Sequence, residues 1–139
     1  MTKKATVSAP GRICLFGEHQ DFLGLAVIAS PIDLDIVICA TARSDKRFCI
    51  QMPDISAYDE FDGSAEVPYQ SERDYIRSAT NVLLREGMHV AHGLDCAIRG
   101  TIPINSGAAS SSAVTVAWIS LLLATQDSSL PAEREDIAR

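Results

Sequence analysis

The segment IPINSGAASSSA, residues 102–113, decides the fold because a loop of small residues leads directly into an apolar helix. Small residues let the backbone turn tightly and approach a ligand closely. The first amide N–H groups of a helix have no intrahelical partner and carry the positive end of the helix dipole, so a phosphate group fits there. The Walker pattern Gly-x-x-x-x-Gly-Lys-Ser/Thr is absent from the sequence, which excludes a P-loop of that type. A plain loop with a serine cap on a buried helix is the alternative interpretation of this segment alone.

A second segment, PGRICLFGEHQDFLG at residues 10–24, gathers charged side chains in a turn bounded by glycines. Glu18, His19 and Asp21 supply two carboxylates and an imidazole, and carboxylates accept strong hydrogen bonds from the hydroxyl groups of a polyol. Arg12, on the strand that leads into the turn, is suited to stabilising charge on a transferring phosphoryl group. Taken alone, this segment fits a polar hairpin with ordinary ion pairs equally well.

Composition limits the class of protein. The chain has 139 residues, enough for one domain, with 47% hydrophobic and 22% charged residues, as in a globular protein. Lys and Arg number 12 and Asp and Glu number 18, and the resulting net charge of −6 disfavours nucleic acid as a partner. Neither a zinc-ligand spacing nor an apolar stretch long enough to span a membrane is present in the sequence. We therefore expect a reduced, cytoplasmic protein without a membrane partner.

Apolar runs and turn residues predict the order of the elements. Strands are expected at residues 5–8, 12–16, 25–30, 34–42, 48–52 and 94–99. Pro10-Gly11 is expected to break the first run from the second, and Pro31 to end the third. We expect 48–52 to pair with 34–42 as a hairpin, and 53–70 to form a long connection. A first helix is predicted to begin at a Ser71 cap, with Asp74 completing a capping box, and to stop at Gly87. A second helix is predicted over about 110–125, and a third from about 129 onward. Because the strands precede most of the helices, the sequence favours an α+β fold.

The two segments together resemble a known family. Residues 10–24 resemble the first signature of galactokinases, approximately Pro-Gly-Arg-Val-Asn-Leu-Ile-Gly-Glu-His-Thr-Asp-Tyr. Residues 102–113 resemble the second signature of the wider GHMP kinase superfamily, which includes galactokinase, homoserine kinase, mevalonate kinase and phosphomevalonate kinase. The resemblance implies a truncated domain with the ribosomal protein S5 domain 2-like fold. Residues 1–139 would be an incomplete N-terminal GHMP kinase domain, with the C-terminal domain absent.

The resemblance also implies a role for each matching residue. Arg12 would be catalytic, beside the reacting phosphate, and the sugar would be bound by Glu18, His19 and Asp21. The nucleotide would be bound by Ser106, Gly107, Ala108, Ala109, Ser110, Ser111 and Ser112. Ser111 would also be the metal ligand, so that ATP and Mg²⁺ are the expected cofactors. The expected partners are a small-molecule sugar and ATP, and the sequence leaves the oligomeric state open.

The leading prediction is ATP-dependent phosphoryl transfer to a sugar hydroxyl, at the anomeric position, by a galactokinase-like sugar kinase. Arg12 and Asp21 favour this branch, because mevalonate kinases usually have Lys at the first position and an apolar residue at the second. One alternative is a non-catalytic relative that senses sugar and nucleotide, which the altered loop at 105–109 permits. Another is a GHMP kinase for a different small substrate such as mevalonate. The chain alone is expected to be inactive, because the family's third signature and catalytic aspartate lie beyond residue 139.

Overall fold

In a computed structural model, one five-stranded mixed sheet and two helices form the fold. The structure describes residues 3–103 and 106–126, and at Asp21 it describes the backbone only. The strands are β1 (Lys4–Phe16), β2 (Ile28–Ala42), β3 (Arg47–Met52), β4 (Ala57–Asp62) and β5 (Leu94–Gly100). The helices are α1 (Tyr75–Arg85) and α2 (Ser110–Thr125), and short 3₁₀ turns cover Asp21–Leu23 and Pro53–Ile55. The α+β prediction is confirmed.

The order of strands in the sheet is β1-β2-β5-β3-β4. Two hairpins, β1–β2 and β3–β4, lie on either side of β5, which pairs antiparallel with β2 and parallel with β3. The predicted hairpin between 34–42 and 48–52 is therefore wrong. The connection from β4 through α1 is long enough to return β5 parallel to β3, and β5 takes the place between the two hairpins.

The two N-terminal strands are longer than the sequence predicts, because neither proline ends its strand. β1 passes through Pro10 with a register shift between Pro10 and Arg12, and it lies at the edge of the sheet, where a missing N–H is tolerated. β2 continues through Pro31. Since β5 pairs only with Ile36–Ala42, Pro31 has a neighbouring strand on one side alone.

The stretch predicted as one long connection, 53–70, contains β4. Its sequence AYDEFD is rich in acidic residues, which are uncommon in strands. The structure shows why this strand tolerates charge: Asp59 forms an ion pair with Arg77 of α1. Only residues 63–74 then remain as the irregular connection to α1.

The hydrophobic core lies between the sheet and the two helices. α2 packs on β1, β2 and α1. Trp118 is fully buried; its ring meets Phe48 edge-on at 5.6 Å between centroids, and its Nε1–H donates to Thr80 Oγ1 at 2.9 Å. Thr80 Oγ1 in turn donates to the carbonyl of Ile76, so both polar groups are satisfied inside the core. This packing fixes α2, and with it the loop that precedes the helix.

The helix ends follow the sequence prediction in part. α2 spans Ser110–Thr125, as predicted, whereas α1 is capped by Asp74 and not by Ser71, since the Asp74 side chain accepts from the amide of Arg77. Gly87 has a φ of 96° just after α1, as expected for a helix stop. The helix predicted from residue 129 lies outside the described residues. No helix in the described part of the chain is long and apolar enough to cross a membrane.

Candidate active site

A backbone hydrogen bond joins the two signature segments. The amide of Arg12 in β1 donates to the carbonyl of Ala108 at 3.1 Å. The close approach requires glycine at position 11, because a Cβ there would stand 2.9 Å from Ala108 O and 3.0 Å from Ile102 Cδ1. Gly11 had no predicted role. Its only signal was the Pro-Gly pair, which was interpreted as a strand break.

The loop before α2 turns through two left-handed residues. Gly107 has a φ of 74° and Ala109 a φ of 57°, a conformation that costs a residue with a Cβ roughly 1–2 kcal/mol. Ala109 is the N-cap, and no side chain of the described residues caps the helix. The alternative interpretation, a serine cap, is therefore wrong, and the first-turn amides of α2 keep their capacity to bind an anion.

Both signature segments line one cavity of about 950 Å³. The first contributes Arg12 and Glu18, and the second contributes Ser106, Gly107, Ala109, Ser110 and Ser111. The hydroxyl of Ser106 donates to the carbonyl of Pro103 at 2.8 Å and is thus engaged within the loop. Ser110 and Ser111 begin α2 at the cavity wall, where their hydroxyls and amides can reach a bound phosphate.

The remaining predicted site residues have other places. Ala108 is buried and contributes the carbonyl that holds Arg12, while His19 and Ser112 are exposed and do not line the cavity. Asp21 has a described backbone only, in the 3₁₀ turn after Glu18. Asn105 lies outside the described residues.

The turn that carries the predicted sugar-binding residues is held by Gln20, a residue without a predicted role. Its side-chain Nε2 donates to the carbonyl of Ala26 at 2.8 Å, and its amide donates to the carbonyl of Gly17 at 3.1 Å. Gly17 has a φ of 91°, which a residue with a side chain adopts at a cost. These bonds close the turn next to Glu18.

The cavity extends beyond the serine loop to residues that no sequence pattern marked as part of a site. Met52, Asp54, Ile55 and Tyr58 line it from β3, the 3₁₀ turn and β4. The segment before α1 and the start of that helix add Gln70, Ser71, Arg73, Asp74 and Tyr75, which we call the far wall. Asp54 accepts from the amide of Gly100 at 2.8 Å and so ties the 3₁₀ turn to the end of β5. Asp54, Ile55, Tyr58 and Gln70 come from the stretch predicted as a plain connection, Met52 from a predicted strand, and Ser71 and Asp74 from the predicted capping box. No sequence pattern marks any of them as part of a binding site.

The part of the chain that the structure describes contains no cluster of three or more His, Cys, Asp or Glu side chains suited to a metal ion. A cation could still bind through phosphate oxygens, with the chain adding single ligands such as the Ser111 hydroxyl or the Glu18 carboxylate on the cavity wall. Single oxygen ligands of this kind suit Mg²⁺, which proteins usually hold through one or two side chains together with phosphate oxygens.

Two family models match the chain. The galactokinase galactose-binding signature matches residues 2–42, and the GHMP kinase N-terminal domain matches residues 74–139. The chain is 31% identical over 114 residues to the galactokinase of Haemophilus influenzae, covering 81% of this chain and 30% of that protein. It is 33% identical over 125 residues to the mevalonate kinase of Pyrococcus furiosus, covering 84% of this chain and 37% of that protein. The chain thus spans about a third of the length of these curated relatives.

Solved structures agree with the sequence comparisons. Lactococcus lactis galactokinase complexed with galactose superposes with a TM-score of 0.79 at 25% identity, over 97% of this chain and 35% of that one. Methanococcus jannaschii mevalonate kinase gives the same TM-score at 20% identity, over 98% of this chain and 44% of that one, and shows the shared fold. The fold and the two joined segments are those of a GHMP kinase N-terminal domain. The chain belongs to the GHMP kinase family, and it carries the family's galactokinase signature.

Proposed function

We propose that the protein containing this chain transfers a phosphoryl group from ATP to a hydroxyl of a sugar, as a galactokinase-like kinase acting at the anomeric position. The observation that supports this most is the hydrogen bond from the Arg12 amide to the Ala108 carbonyl, which brings the polar turn and the serine loop to one cavity. A sugar at the turn and a phosphate at the loop would then be neighbours. Positioning of this kind is the main contribution to catalysis of phosphoryl transfer.

The turn would bind the sugar. Glu18 lies at the cavity wall, and its carboxylate would accept hydrogen bonds from sugar hydroxyls, with His19 and Asp21 of the same turn as further ligands. The Arg12 guanidinium, at the same wall, would stabilise the negative charge that builds up on the transferring group. The galactose-binding signature at residues 2–42 supports galactose as the sugar.

The serine loop and the first turn of α2 would bind the phosphates. Amides of this turn have no side-chain cap among the described residues, and Ser110 and Ser111 present hydroxyls beside them. ATP supplies the transferable phosphoryl group when bound, and Mg²⁺ neutralises its charge, with Ser111 as the proposed protein ligand. With the phosphates on this loop, the nucleoside would occupy the far part of the cavity.

Two other functions stay open for the same site. The 33% identity to an archaeal mevalonate kinase supports a kinase for another small substrate. Ala109, a residue without a hydroxyl in a left-handed conformation at the phosphate loop, permits a relative that binds sugar and nucleotide without turnover. In each case the partners are small molecules, and we propose a cytoplasmic setting, where ATP is available.

The test is ADP release from ATP and Mg²⁺ by the protein that contains this chain, with galactose, other hexoses, sugar acids and mevalonate as acceptors. We expect turnover with galactose and none with 1-deoxygalactose, which lacks the anomeric hydroxyl. Phosphorus NMR of the product would identify the phosphorylated position. Turnover with mevalonate alone would assign the site to the other kinase class, and binding of galactose and ATP without turnover would favour a sensor.

A further inference from the structure

The far wall of the cavity is a segment without helix or strand. Residues 63–74 connect β4 to α1. Of these, Gln70, Ser71, Arg73 and Asp74 line the cavity, as do Asp59 of β4 and Arg77 of α1. Side chains of α1 and its cap hold the segment: the Asn81 amide group bonds both the amide and the carbonyl of Val67 at 2.8 Å, and Asp74 accepts from the amide of Gln70 at 3.0 Å. The position of the wall therefore depends on a few side chains rather than on a regular ladder of hydrogen bonds.

Arg77 is the side chain that connects this wall to the sheet. Its guanidinium donates to both carboxylate oxygens of Asp59 in β4, at 2.5 and 2.6 Å, and to Asp74 at 3.3 Å. It also lies over the ring of Phe61, 4.8 Å from the centroid. Asp74 is at once the cap of α1, the acceptor for Gln70 and a partner of Arg77, so the three contacts form one unit.

Stability alone does not account for this arrangement. The Arg77 side chain is only 3% exposed, and its Nε is buried without a hydrogen-bond partner among the described residues. A buried ion pair is often no more stabilising than well-packed apolar residues of the same volume, and an unsatisfied N–H adds a further cost. A forked guanidinium does, however, fix the direction and distance of two carboxylates, which an apolar contact cannot do.

We propose that Arg77 is a positioning residue for the nucleotide: by holding Asp74 against Asp59, it sets the distance between the far wall and the serine loop. This inference rests on the proposed function, because it assumes that the nucleoside lies between that wall and the first turn of α2. The sugar turn is held by other bonds, through Gln20 and Ala108, and is independent of Arg77. A change at Arg77 therefore acts on ATP and leaves the sugar unaffected.

The experiment compares Arg77→Lys with Arg85→Lys in the protein that contains this chain. Arg85 is a matched control, because it lies on the same helix and forms the same kind of forked pair, with Glu66 of the same connection, but is exposed and does not line the cavity. Asp59→Asn and its control Glu66→Gln change the other partner of each pair. Asp59→Asn keeps the shape of the side chain and provides the test if Arg77→Lys does not fold.

We expect Arg77→Lys and Asp59→Asn to raise the KM and Kd for ATP about tenfold, roughly the loss of one positioning hydrogen bond, with the sugar KM unchanged. The two control variants should match the wild type in all three quantities. A lower melting temperature with an unchanged ATP Kd, or equal rises for ATP and sugar, would overturn the proposal. Direct calorimetric binding of ATP keeps this result separate from the proposed function, which fails instead if the wild type binds ATP but phosphorylates none of the acceptors.

Discussion

Replacing Gly11 with Ala tests the contact that joins the two signature segments. The added methyl group would stand 2.9 Å from Ala108 O, 3.0 Å from Ile102 Cδ1 and 3.1 Å from Ile32 Cδ1. The isoleucine ends can rotate, but the carbonyl belongs to the backbone of the phosphate loop. We therefore expect the loop to move away from β1 by about 0.5 Å, which would stretch the Arg12–Ala108 bond from 3.1 Å beyond the usual hydrogen-bond range.

The magnitude follows from two contributions. Forcing a methyl group into a packed site costs about 1–3 kcal/mol, and a lost backbone hydrogen bond costs about 1 kcal/mol, so the free energy of unfolding should fall by about 2–4 kcal/mol. Activity should fall further than stability requires, because a displacement of this size in a positioned site costs on the order of ten- to a hundredfold in rate. The loss should appear in kcat/KM for ATP.

The control is Met88→Ala, because Met88 is buried, does not line the cavity, and its truncation costs about 2–5 kcal/mol of stability. Urea unfolding gives the stability of both variants, and steady-state kinetics under conditions where both are folded gives the activity. We expect comparable destabilisation and a rate loss for Gly11→Ala alone. If both variants keep wild-type kinetics, or lose equal activity for equal stability, the backbone contact does not align the site and the argument is refuted.

Three further predictions concern single side chains. Ser111→Ala should reduce kcat/KM for Mg-ATP about 30-fold, the equivalent of ~2 kcal/mol. The control Ser112→Ala, at an exposed residue that does not line the cavity, should stay near wild type. Equal kcat/KM values for the two variants would mean that the segment is an ordinary helix start. Asp21→Asn should raise the sugar KM much more than the ATP KM, because a neutral amide accepts weaker hydrogen bonds from hydroxyls; equal effects would assign Asp21 a role in the fold. At pH 8, iodoacetamide should label exposed Cys39 in the native protein and spare Cys96, because burial raises the pKa of the Cys96 thiol to about 12. Mass spectrometry before and after unfolding measures the labelling of both, and labelling of Cys96 in the native protein would contradict its burial.

Local sequence signals predicted the elements whose causes are local. The apolar run before residue 125 and the serines that precede it gave the bounds of α2, and Gly87 marked the end of α1. Pro10 and Pro31 misled the prediction, because whether a strand can pass through proline depends on which side of it carries a neighbour. The place of β5 between the hairpins is a non-local property, and no local pattern encodes it.

The candidate site divides in the same way. The residue types of the serine loop and the polar turn predicted a phosphate site and a sugar site. The structure places Arg12, Glu18 and Ser111 on the wall of one cavity, and their roles stay predictions. The far wall could not be predicted, because its position depends on an ion pair between Asp59 and Arg77, residues 18 apart in sequence. The acidic residue Asp59 is also one reason why β4 was not predicted, because acidic residues are uncommon in strands and its partner Arg77 is known only from the structure.

The insertion of β5 between two hairpins has a consequence for how the chain folds. Each hairpin joins strands adjacent in sequence, so each can form early. In contrast, β5 follows α1 in the chain and must pair with both β2 and β3. Pairings between distant residues are slow because chain entropy is lost before the contacts form. On the ribosome, both hairpins emerge before residue 94. Until β5 pairs, the inner edges at β2 and β3 stay unpaired and open to other chains, in addition to the outer edges at β1 and β4. The cavity takes its walls from both hairpins, so we expect it to form last, when a single strand completes the sheet.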